Sequence, residues 1–549
     1  MTVADEGPVP PPKVAAWLSR FNPVPAFPEY TGRFKVGTID VELPVTSLES
    51  PVPTPPNEAG IVTIQFRVFY PAVAESAERR IGWLPSPQRQ HVSAYSQFVG
   101  LGPALANVLS FLPRHLYCTS IPAHSNARLR QPDAPSSRWP TVIFSHGLGG
   151  SRHMYSYIAG SLASHGVVVF CPEHRDGSAV VSYIRHSAGD STRKAVPYVK
   201  MSHTPGTEVY QAREAQLRIR LWELGLVHDA VLALDGGKRL DSLDPSTPDL
   251  KQFAGRLDVQ EPGRIVFAGH SFGAATTYQF LKCVYYAGHA SLTAMEDPLF
   301  APARDSGICK QVTEQTVAIL LDMWCLPILA PNSGPLLALP LPAYADVPTA
   351  PGGRALLAVE SEAFYKWTEH LHAKARLLSP EPSAKVVTAR MYERPSGVRL
   401  PEPSFFYVDK SAHLSQSDFG ILFPWMSRRV FAAEEPERAL RLNLRAQLQL
   451  FRANGIPVAR TSAGDLADGP RGESKAAVDE DEAILDSSGH GVVEHWRPIH
   501  LIGLGDGSEA ETGEPIERQV ERGEVQMEGE LEPAEQSAES AALRKPSRL

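Results

Sequence analysis

The sequence has few cysteines and no C-x-x-C pair. An odd number of widely spaced thiols does not indicate a disulfide framework, and it is typical of a protein that keeps its cysteines reduced. We therefore expect free, buried thiols in a reducing compartment. The five cysteines are Cys118, Cys171, Cys283, Cys309 and Cys325.

The sequence also lacks a long apolar run, and we expect no secretory leader. No run approaches the roughly 18 apolar residues that a bilayer-spanning helix needs. The N-terminus, M-T-V-A-D-E-G-P-V-P-P-P, has neither a positive region nor an apolar region. We expect a cytoplasmic protein. The terminal Ser547-Arg548-Leu549 is close to the S-K-L signal, so a peroxisomal import receptor is a further candidate partner.

Strong charge of either sign is missing from the main part of the chain. The formal net charge is −8, but residues 461–549 hold 21 Asp and Glu against 8 Lys and Arg, a net of −13. The other 460 residues therefore carry about +5. This excess is too small to indicate nucleic-acid binding, although it is compatible with an anionic phosphate or a membrane surface.

Composition divides the chain into three parts. Residues 1–30 are rich in proline and predict an extended arm. Residues 31–460 have ordinary globular composition and predict one large domain. Residues 461–549 are rich in Gly, Ala, Ser, Pro and Glu and poor in aromatics. Because such a segment buries too little apolar surface to offset its chain entropy, it predicts a disordered acidic tail.

The most informative stretch is R-I-V-F-A-G-H-S-F-G-A-A-T, at 264–276. A short apolar run leads into G-H-S-F-G, and good helix formers follow, so the pattern predicts a strand, a sharp turn and a helix. A nucleophile elbow has this order, with glycines on either side of a strained serine. Ser271 is therefore the predicted nucleophile.

A second glycine turn lies upstream. The apolar strand Thr141 to Phe144 runs into S-H-G-L-G-G-S. Hydrolases with a nucleophile elbow place part of the oxyanion hole in such a turn, so the backbone N–H groups of Leu148 and Phe272 are the predicted donors. A phosphate-binding loop is the alternative, but no G-K-[ST] supports it.

A candidate acid follows the elbow helix. The apolar strand Gln315 to Leu321 ends in Asp322, the position of the triad acid when the chain order is serine, acid, histidine. Other acids follow a later strand or precede the serine: Glu360, Glu362, Asp229 and Asp235.

The candidate base is His413. It sits in a loop after the last predicted strand, Ser404 to Val408, whereas the other histidines downstream of the serine lie in or beside helices or in the tail. The loop Pro172 to Gly177 suggests a catalytic or metal site, but no second His or Cys lies at ligand spacing. Arg175 is therefore expected to pair with a carboxylate in a structural role.

Residues 98–112 form an apolar stretch with helical spacing after Pro103. Two interpretations are open: a helix packed on the domain, which is the default, and a patch that touches lipid.

Several of these motifs together resemble a known family, the platelet-activating factor acetylhydrolases of the plasma and type II kind. The resemblance rests on five motifs and covers about residues 30–430. They are F-S-H-G-L-G-G-S-R at 144–152, E-H-R-D at 173–176, G-H-S-F-G-A-A-T at 269–276, L-D-M-W at 321–324 and S-A-H-L-S-Q-S-D-F at 411–419.

The resemblance implies an α/β-hydrolase fold, with a mostly parallel central sheet flanked by helices. It also implies calcium-independent hydrolysis of a short or oxidised sn-2 acyl ester of a phospholipid, by Ser271, Asp322 and His413 with the amides of Leu148 and Phe272. No metal or organic cofactor is implied. The alternatives are a carboxylesterase or lipase that acts on other esters, and a non-catalytic scaffold with the same fold.

Overall fold

The computed structural model describes residues 27–56, 59–98, 102–111, 114–132, 138–188, 193–429, 433–466, 476–488 and 493–505. Most of the predicted arm, residues 1–26, lies outside the described residues, as do residues 506–549 of the predicted tail. The tripeptide Ser547-Arg548-Leu549 lies outside them as well.

The strands and helices follow in chain order. The strands are β1 (Lys35–Pro44), β2 (Thr63–Ala72), β3 (Arg80–Gly82), β4 (Ser120–Ser125), β5 (Thr141–Ser145), β6 (Val168–Glu173), β7 (Val181–Ile184), β8 (Lys194–Pro197), β9 (Ile265–His270), β10 (Ala318–Leu321), β11 (Leu356–Ser361), β12 (Met391–Glu393), β13 (Arg399–Pro401), β14 (Ser404–Val408), β15 (Thr461–Ser462), β16 (Ala477–Val478) and β17 (Trp496–Pro498). The α-helices are α1 (Gln88–Phe98), α2 (Pro103–Leu109), α3 (Arg114–Cys118), α4 (Ser156–Ser164), α5 (Thr207–Asp235), α6 (Phe272–Tyr285), α7 (Ala290–Thr293), α8 (Gly307–Gln311), α9 (Gly334–Leu337), α10 (Glu362–Lys366), α11 (Thr368–Leu378), α12 (Phe419–Leu422), α13 (Pro424–Arg429) and α14 (Pro436–Ala453).

Eleven of these strands form one sheet, in the order β17-β14-β11-β10-β9-β5-β6-β2-β1-β4-β3. Its middle is parallel, from β6 across β5, β9, β10 and β11 to β14. The opening strands β1 and β2 pair antiparallel beside it, as their alternating patterns predict. The mostly parallel sheet and its flanking helices confirm the predicted α/β-hydrolase fold.

The central strands are covered on both faces. Every residue of β5, β6, β9, β10 and β11 is buried, which explains their continuous apolar sequences. Helices α4 and α14 contact each other and the sheet, and so do α5 and α6. The long helix predicted over about 207–234 is α5.

Three neighbouring parallel strands end at the same edge of the sheet. In the register of the sheet, Ser145 of β5 lies opposite Gly269 of β9, and His270 of β9 lies opposite Leu321 of β10. The loops that follow these strands therefore converge, which is where ligands bind in open α/β sheets.

The predicted disordered tail begins too early at residue 461. Strand β17 pairs with the sheet edge at β14, and the Trp496 ring stacks on Phe406 with centroids 5.1 Å apart. Asp481 forms an ion pair with Arg445 at 2.8 Å. The prediction was wrong for these described segments because the acidic composition averaged over the whole stretch concealed a few apolar residues that cover the sheet.

Helix α2 begins at Pro103, as predicted, and packs on α1 with Ala106 buried, but three large apolar side chains near it face outward. Leu105 is 51% exposed, Val108 60% and Phe111, just beyond the helix, 61%. The helix thus packs on the domain, as the default interpretation expects, while these three side chains remain exposed. No helix within the described ranges is both long enough and apolar enough to cross a bilayer.

Two truncations test whether the segment up to Gly505 belongs to the folded domain. Ending the chain after Gly505 removes none of the described packing, so the melting temperature should stay close to that of the full chain. Ending it after Arg460 exposes the edge of β14 and the Phe406 ring, so the melting temperature should fall by at least about 5 °C. Equal melting temperatures for the two truncated proteins would contradict the revised boundary.

Candidate active site

Ser271 occupies a strained turn between β9 and α6. Its backbone has φ 56° and ψ −121°, in a region that non-glycine residues rarely adopt. A Cβ on Gly269 would collide with the backbone of Gly273, and a Cβ on Gly273 would collide with Ser145. The two glycines of G-x-S-x-G are thus required by close backbone approach, as expected of a nucleophile elbow.

His413 lies beside this turn and is hydrogen-bonded to Asp322. The distance from His413 Nδ1 to Asp322 Oδ2 is 3.0 Å. The His413 ring stacks on Phe364 at 4.3 Å and lies 4.5 Å from the ring of His270, the residue that precedes Ser271. The structure therefore brings the predicted acid and base together next to the predicted nucleophile.

The other acids proposed downstream of the serine have different partners. Glu360 is fully buried and pairs with the buried Lys374. Glu362 pairs with Lys366 at 2.5 Å. Of the three downstream acids, Asp322 is the one hydrogen-bonded to His413. The two upstream acids are engaged elsewhere: Asp235 pairs with Arg138 at 2.7 Å, and Asp229 accepts a hydrogen bond from the backbone of Glu49.

The local electrostatics favour a neutral base beside an ionised acid. Burial, with the nearby Lys374 cation, lowers the pKa of His413 to about 3. Burial raises the pKa of Asp322 to about 6, opposed by Lys374 and by a hydrogen bond from the Ser361 N–H at 2.6 Å. At neutral pH the imidazole can therefore accept a proton and the carboxylate can stabilise its charged form.

The glycine turn after β5 lies against the elbow. A Cβ built on Gly147 would be 2.8 Å from Ser271 Cβ and 3.4 Å from its Oγ. The predicted oxyanion donors, the N–H groups of Leu148 and Phe272, follow Gly147 and Ser271 directly. Within the described part of the chain neither amide has a hydrogen-bond partner, which leaves both available to a substrate oxygen.

A buried arginine, which the sequence analysis missed, connects the glycine turn after β5 to the elbow helix α6. Arg220 Nη1 donates to the His146 carbonyl at 3.0 Å and to Thr276 Oγ1 at 3.1 Å. Its guanidinium lies 4.2 Å from the Phe272 ring centroid and pairs with Asp176 at 3.0 Å. One cation therefore holds the glycine turn against the elbow helix.

A second serine, histidine and acid lie in line behind the glycine turn. Ser145 Oγ is 2.8 Å from His174 Nε2, and His174 Nδ1 is 2.9 Å from Glu223 Oε2. All three are at most 1% exposed, so no substrate reaches them, and their role is structural. Glu223 also pairs with Arg175 at 3.4 Å, which confirms the pairing expected for that arginine.

His270, Asp322 and His413 also form a group that could hold a metal ion, with one potential ligand atom of each within 4.8 Å of the others. Two of the ring nitrogens already have partners, because His413 Nδ1 bonds Asp322 and His270 Nδ1 lies 2.8 Å from Tyr155 Oη. This hydrogen bonding favours proton transfer over metal coordination.

The sequence of this chain matches a known protein family. The profile of the family described as "Platelet-activating factor acetylhydrolase, isoform II" matches residues 20–335, more than half of the chain. The chain belongs to this family. The matched range includes Ser271 and Asp322 and ends before His413.

Individual relatives of this family member are distant. A Schizosaccharomyces pombe protein named "Putative phospholipase A2" is 28% identical over 454 residues, which are 79% of this chain and 94% of that protein. The platelet-activating factor acetylhydrolase of Canis lupus familiaris is 27% identical over 59% of this chain and 60% of its own length. The chain thus spans less than two thirds of the canine relative. Among solved structures, the ferulic acid esterase from Streptomyces cinnamoneus is similar at a TM-score of 0.39 and 16% identity, over 76% of this chain and 88% of that one.

Replacing the acid tests its assignment. Asp322→Asn should lower turnover of a short-chain ester by roughly 10⁴-fold, because the amide would favour the wrong tautomer of His413. The matched control is Glu362→Gln, which removes the partly solvent-exposed ion pair with Lys366. Its turnover should stay within about threefold of that of the unmodified protein. A loss below about tenfold for Asp322→Asn would instead assign the role to Glu360 or Glu362.

Proposed function

We propose that this protein is a serine esterase that hydrolyses the short or oxidised sn-2 acyl ester of phospholipids such as 1-alkyl-2-acetylglycerophosphocholine, releasing acetate and the lyso lipid. The observation that carries the proposal is the hydrogen bond from His413 to Asp322 beside the strained Ser271. Family membership supports the reaction class, and the relatives' names support the phospholipid substrate.

The acylation step uses the three side chains in sequence. Ser271 Oγ attacks the carbonyl carbon of the ester while His413 Nε2 accepts its proton, and Asp322 holds the imidazole and stabilises its charged form. The tetrahedral intermediate then collapses. The C–O bond to the lyso lipid breaks, and the leaving oxygen takes the proton from His413.

The oxyanion hole and a water molecule complete the cycle. The amides of Leu148 and Phe272 stabilise the negative oxygen, each by about 3 kcal/mol in sites of this kind. Water then attacks the acyl group on Ser271 as His413 accepts its proton, and Ser271 recovers that proton when the acid leaves. The proposed cycle has no step on a metal ion, and we propose that it proceeds without calcium.

A transient contact with a membrane surface fits the outward side chains near α2. Leu105, Val108 and Phe111 lie beside α1, whose Phe98 packs against Gly149 of the glycine turn. A cleft of about 640 Å³ lies between α1 and the β7–β8 hairpin. We propose that these three side chains enter the lipid interface and bring the site to its substrate.

Substitution of the nucleophile tests the reaction, and a pair of substrates tests the substrate class. Ser271→Ala should abolish turnover of every ester and labelling by an active-serine phosphonate, with the melting temperature unchanged. The unmodified protein should hydrolyse a short-acyl phosphocholine with higher kcat/KM than an aryl ester of the same acyl chain. The reverse order would favour a general carboxylesterase or lipase, and absence of labelling would favour a non-catalytic scaffold.

Vesicle binding tests the lipid contact. Changing Leu105, Val108 and Phe111 together to serine should weaken sedimentation with phosphocholine vesicles by at least about tenfold, because each lost apolar side chain removes burial in the interface. Hydrolysis of a soluble monomeric ester should not change. The control is the double variant Met391→Ser with Ile502→Ser, two similarly exposed apolar side chains elsewhere. Equal binding by both variants would contradict the proposal.

A further inference from the structure

Arg213 on α5 is a fully buried cation without a counter-ion. Its side chain is 0% exposed, and its Nη1 donates to Gln216 Oε1 at 2.8 Å. Its Nε and Nη2 are buried without a hydrogen-bond partner. Within the described ranges no carboxylate lies in ion-pair distance of this guanidinium. Burial lowers the pKa of Arg213, and the negative charges of Tyr198 and Asp176 oppose this shift.

Arg220, on the same helix, is a buried arginine that has an ion-pair partner and a full set of hydrogen bonds. It lies seven residues further on, about two turns along α5 and hence on the same face. Arg220 has its own carboxylate, Asp176 at 3.0 Å, and all three of its nitrogens donate hydrogen bonds. The two buried arginines on this face of α5 therefore differ: Arg220 has an ion-pair partner and Arg213 does not.

Arg213 is separated from the nucleophile by one aromatic side chain. Its guanidinium lies 5.0 Å from the Trp324 ring centroid, and that ring meets the Phe272 ring edge-on at 5.8 Å. The backbone N–H of Trp324 donates to the Ser271 carbonyl at 3.3 Å. Arg213 and the turn that carries Ser271 therefore both contact Trp324.

One residue that lines the neighbouring cleft interacts with Arg213. Residues 198–206 have no regular secondary structure, and Tyr198 in this segment is half-buried and lines the cleft between α1 and the β7–β8 hairpin. Tyr198 also acts electrostatically on Arg213. Arg213 therefore lies near the side of the cleft that Tyr198 lines.

We propose that Arg213 is a substrate-binding residue that receives an anionic oxygen group of the substrate through its two unpartnered nitrogens. A guanidinium presents planar paired donors that match an oxyanion, and such charge-assisted bonds are strong where water is excluded. The inference rests on the proposed function, because a phospholipid supplies this group in two ways. One source is the head-group phosphate, and the other is a terminal carboxylate on an oxidised sn-2 chain.

The test replaces Arg213 with methionine, which keeps the length and apolar packing and removes the charge. Three substrates are compared: an aryl acetate, a 2-acetyl phosphocholine and a phosphocholine whose short sn-2 chain ends in a carboxylate. Arg213→Met should lower kcat/KM for the phospholipids by about 10- to 100-fold relative to the aryl acetate, which lacks an anion. A loss for both phospholipids identifies the phosphate, and a loss confined to the third substrate identifies the chain carboxylate.

The matched control is Arg218→Met on the same helix, because Arg218 already pairs with Asp297 at 2.6 Å. This control should not change the ratio between phospholipid and aryl ester. The melting temperature gives a second readout. Arg213→Met should melt no lower than the unmodified protein, because the change removes a buried charge that has no ion-pair partner. Equal losses on all three substrates, no loss on any, or a marked fall in melting temperature would each overturn the proposal.

A binding measurement separates this inference from the proposed function. Inorganic phosphate, compared with chloride at equal ionic strength, should raise the melting temperature of the unmodified protein and not that of Arg213→Met. If the unmodified protein hydrolyses no phospholipid but shows this difference, the proposed function fails and the anion site stands. If phospholipid is hydrolysed and phosphate stabilises both proteins equally, the anion site fails alone.

Discussion

The hydrogen bond between His413 and Asp322 is the contact on which the rest of the site depends. It joins the loop after β14 to the loop after β10, two strands that are separated in the sheet by β11. Asp322 itself is fixed by the Ser361 N–H at the end of β11. Parallel strands in register therefore set the position of the base relative to the strained serine at the end of β9.

Buried charged side chains support this hydrogen bond from the interior of the protein. Lys374 and Glu360 form a buried pair next to Asp322, and Arg220 holds the glycine turn against the elbow helix. Buried ion pairs of this kind contribute little net stability, because desolvation offsets most of their attraction. Their value here is geometric: they restrict the loops that carry the reacting groups and the two free amides. Arg213 differs from these residues because no carboxylate of the described residues lies within ion-pair distance of it, although Asp176 acts on it from further away.

The sequence predicted the fold, and it pointed to candidate site residues that the structure brings together, because their signals are local. The G-H-S-F-G motif alone predicts a strained turn between a strand and a helix. Each triad candidate follows an apolar strand, in the chain order serine, acid, histidine. The supporting arginines escaped notice because a charged residue within a long helix usually faces solvent, and burial on a shared face depends on tertiary packing. The tail boundary was misplaced for a related reason. Composition averaged over many residues cannot show that Trp496 meets a ring on β14.

The most direct test of this account is a crystal structure of the protein after reaction with an organophosphonate that mimics the tetrahedral intermediate. The account predicts a covalent bond from phosphorus to Ser271 Oγ, with the phosphoryl oxygen within hydrogen-bond distance of the Leu148 and Phe272 amides and His413 Nε2 facing the adduct. An adduct on another residue, or a phosphoryl oxygen directed away from both amides, would contradict it.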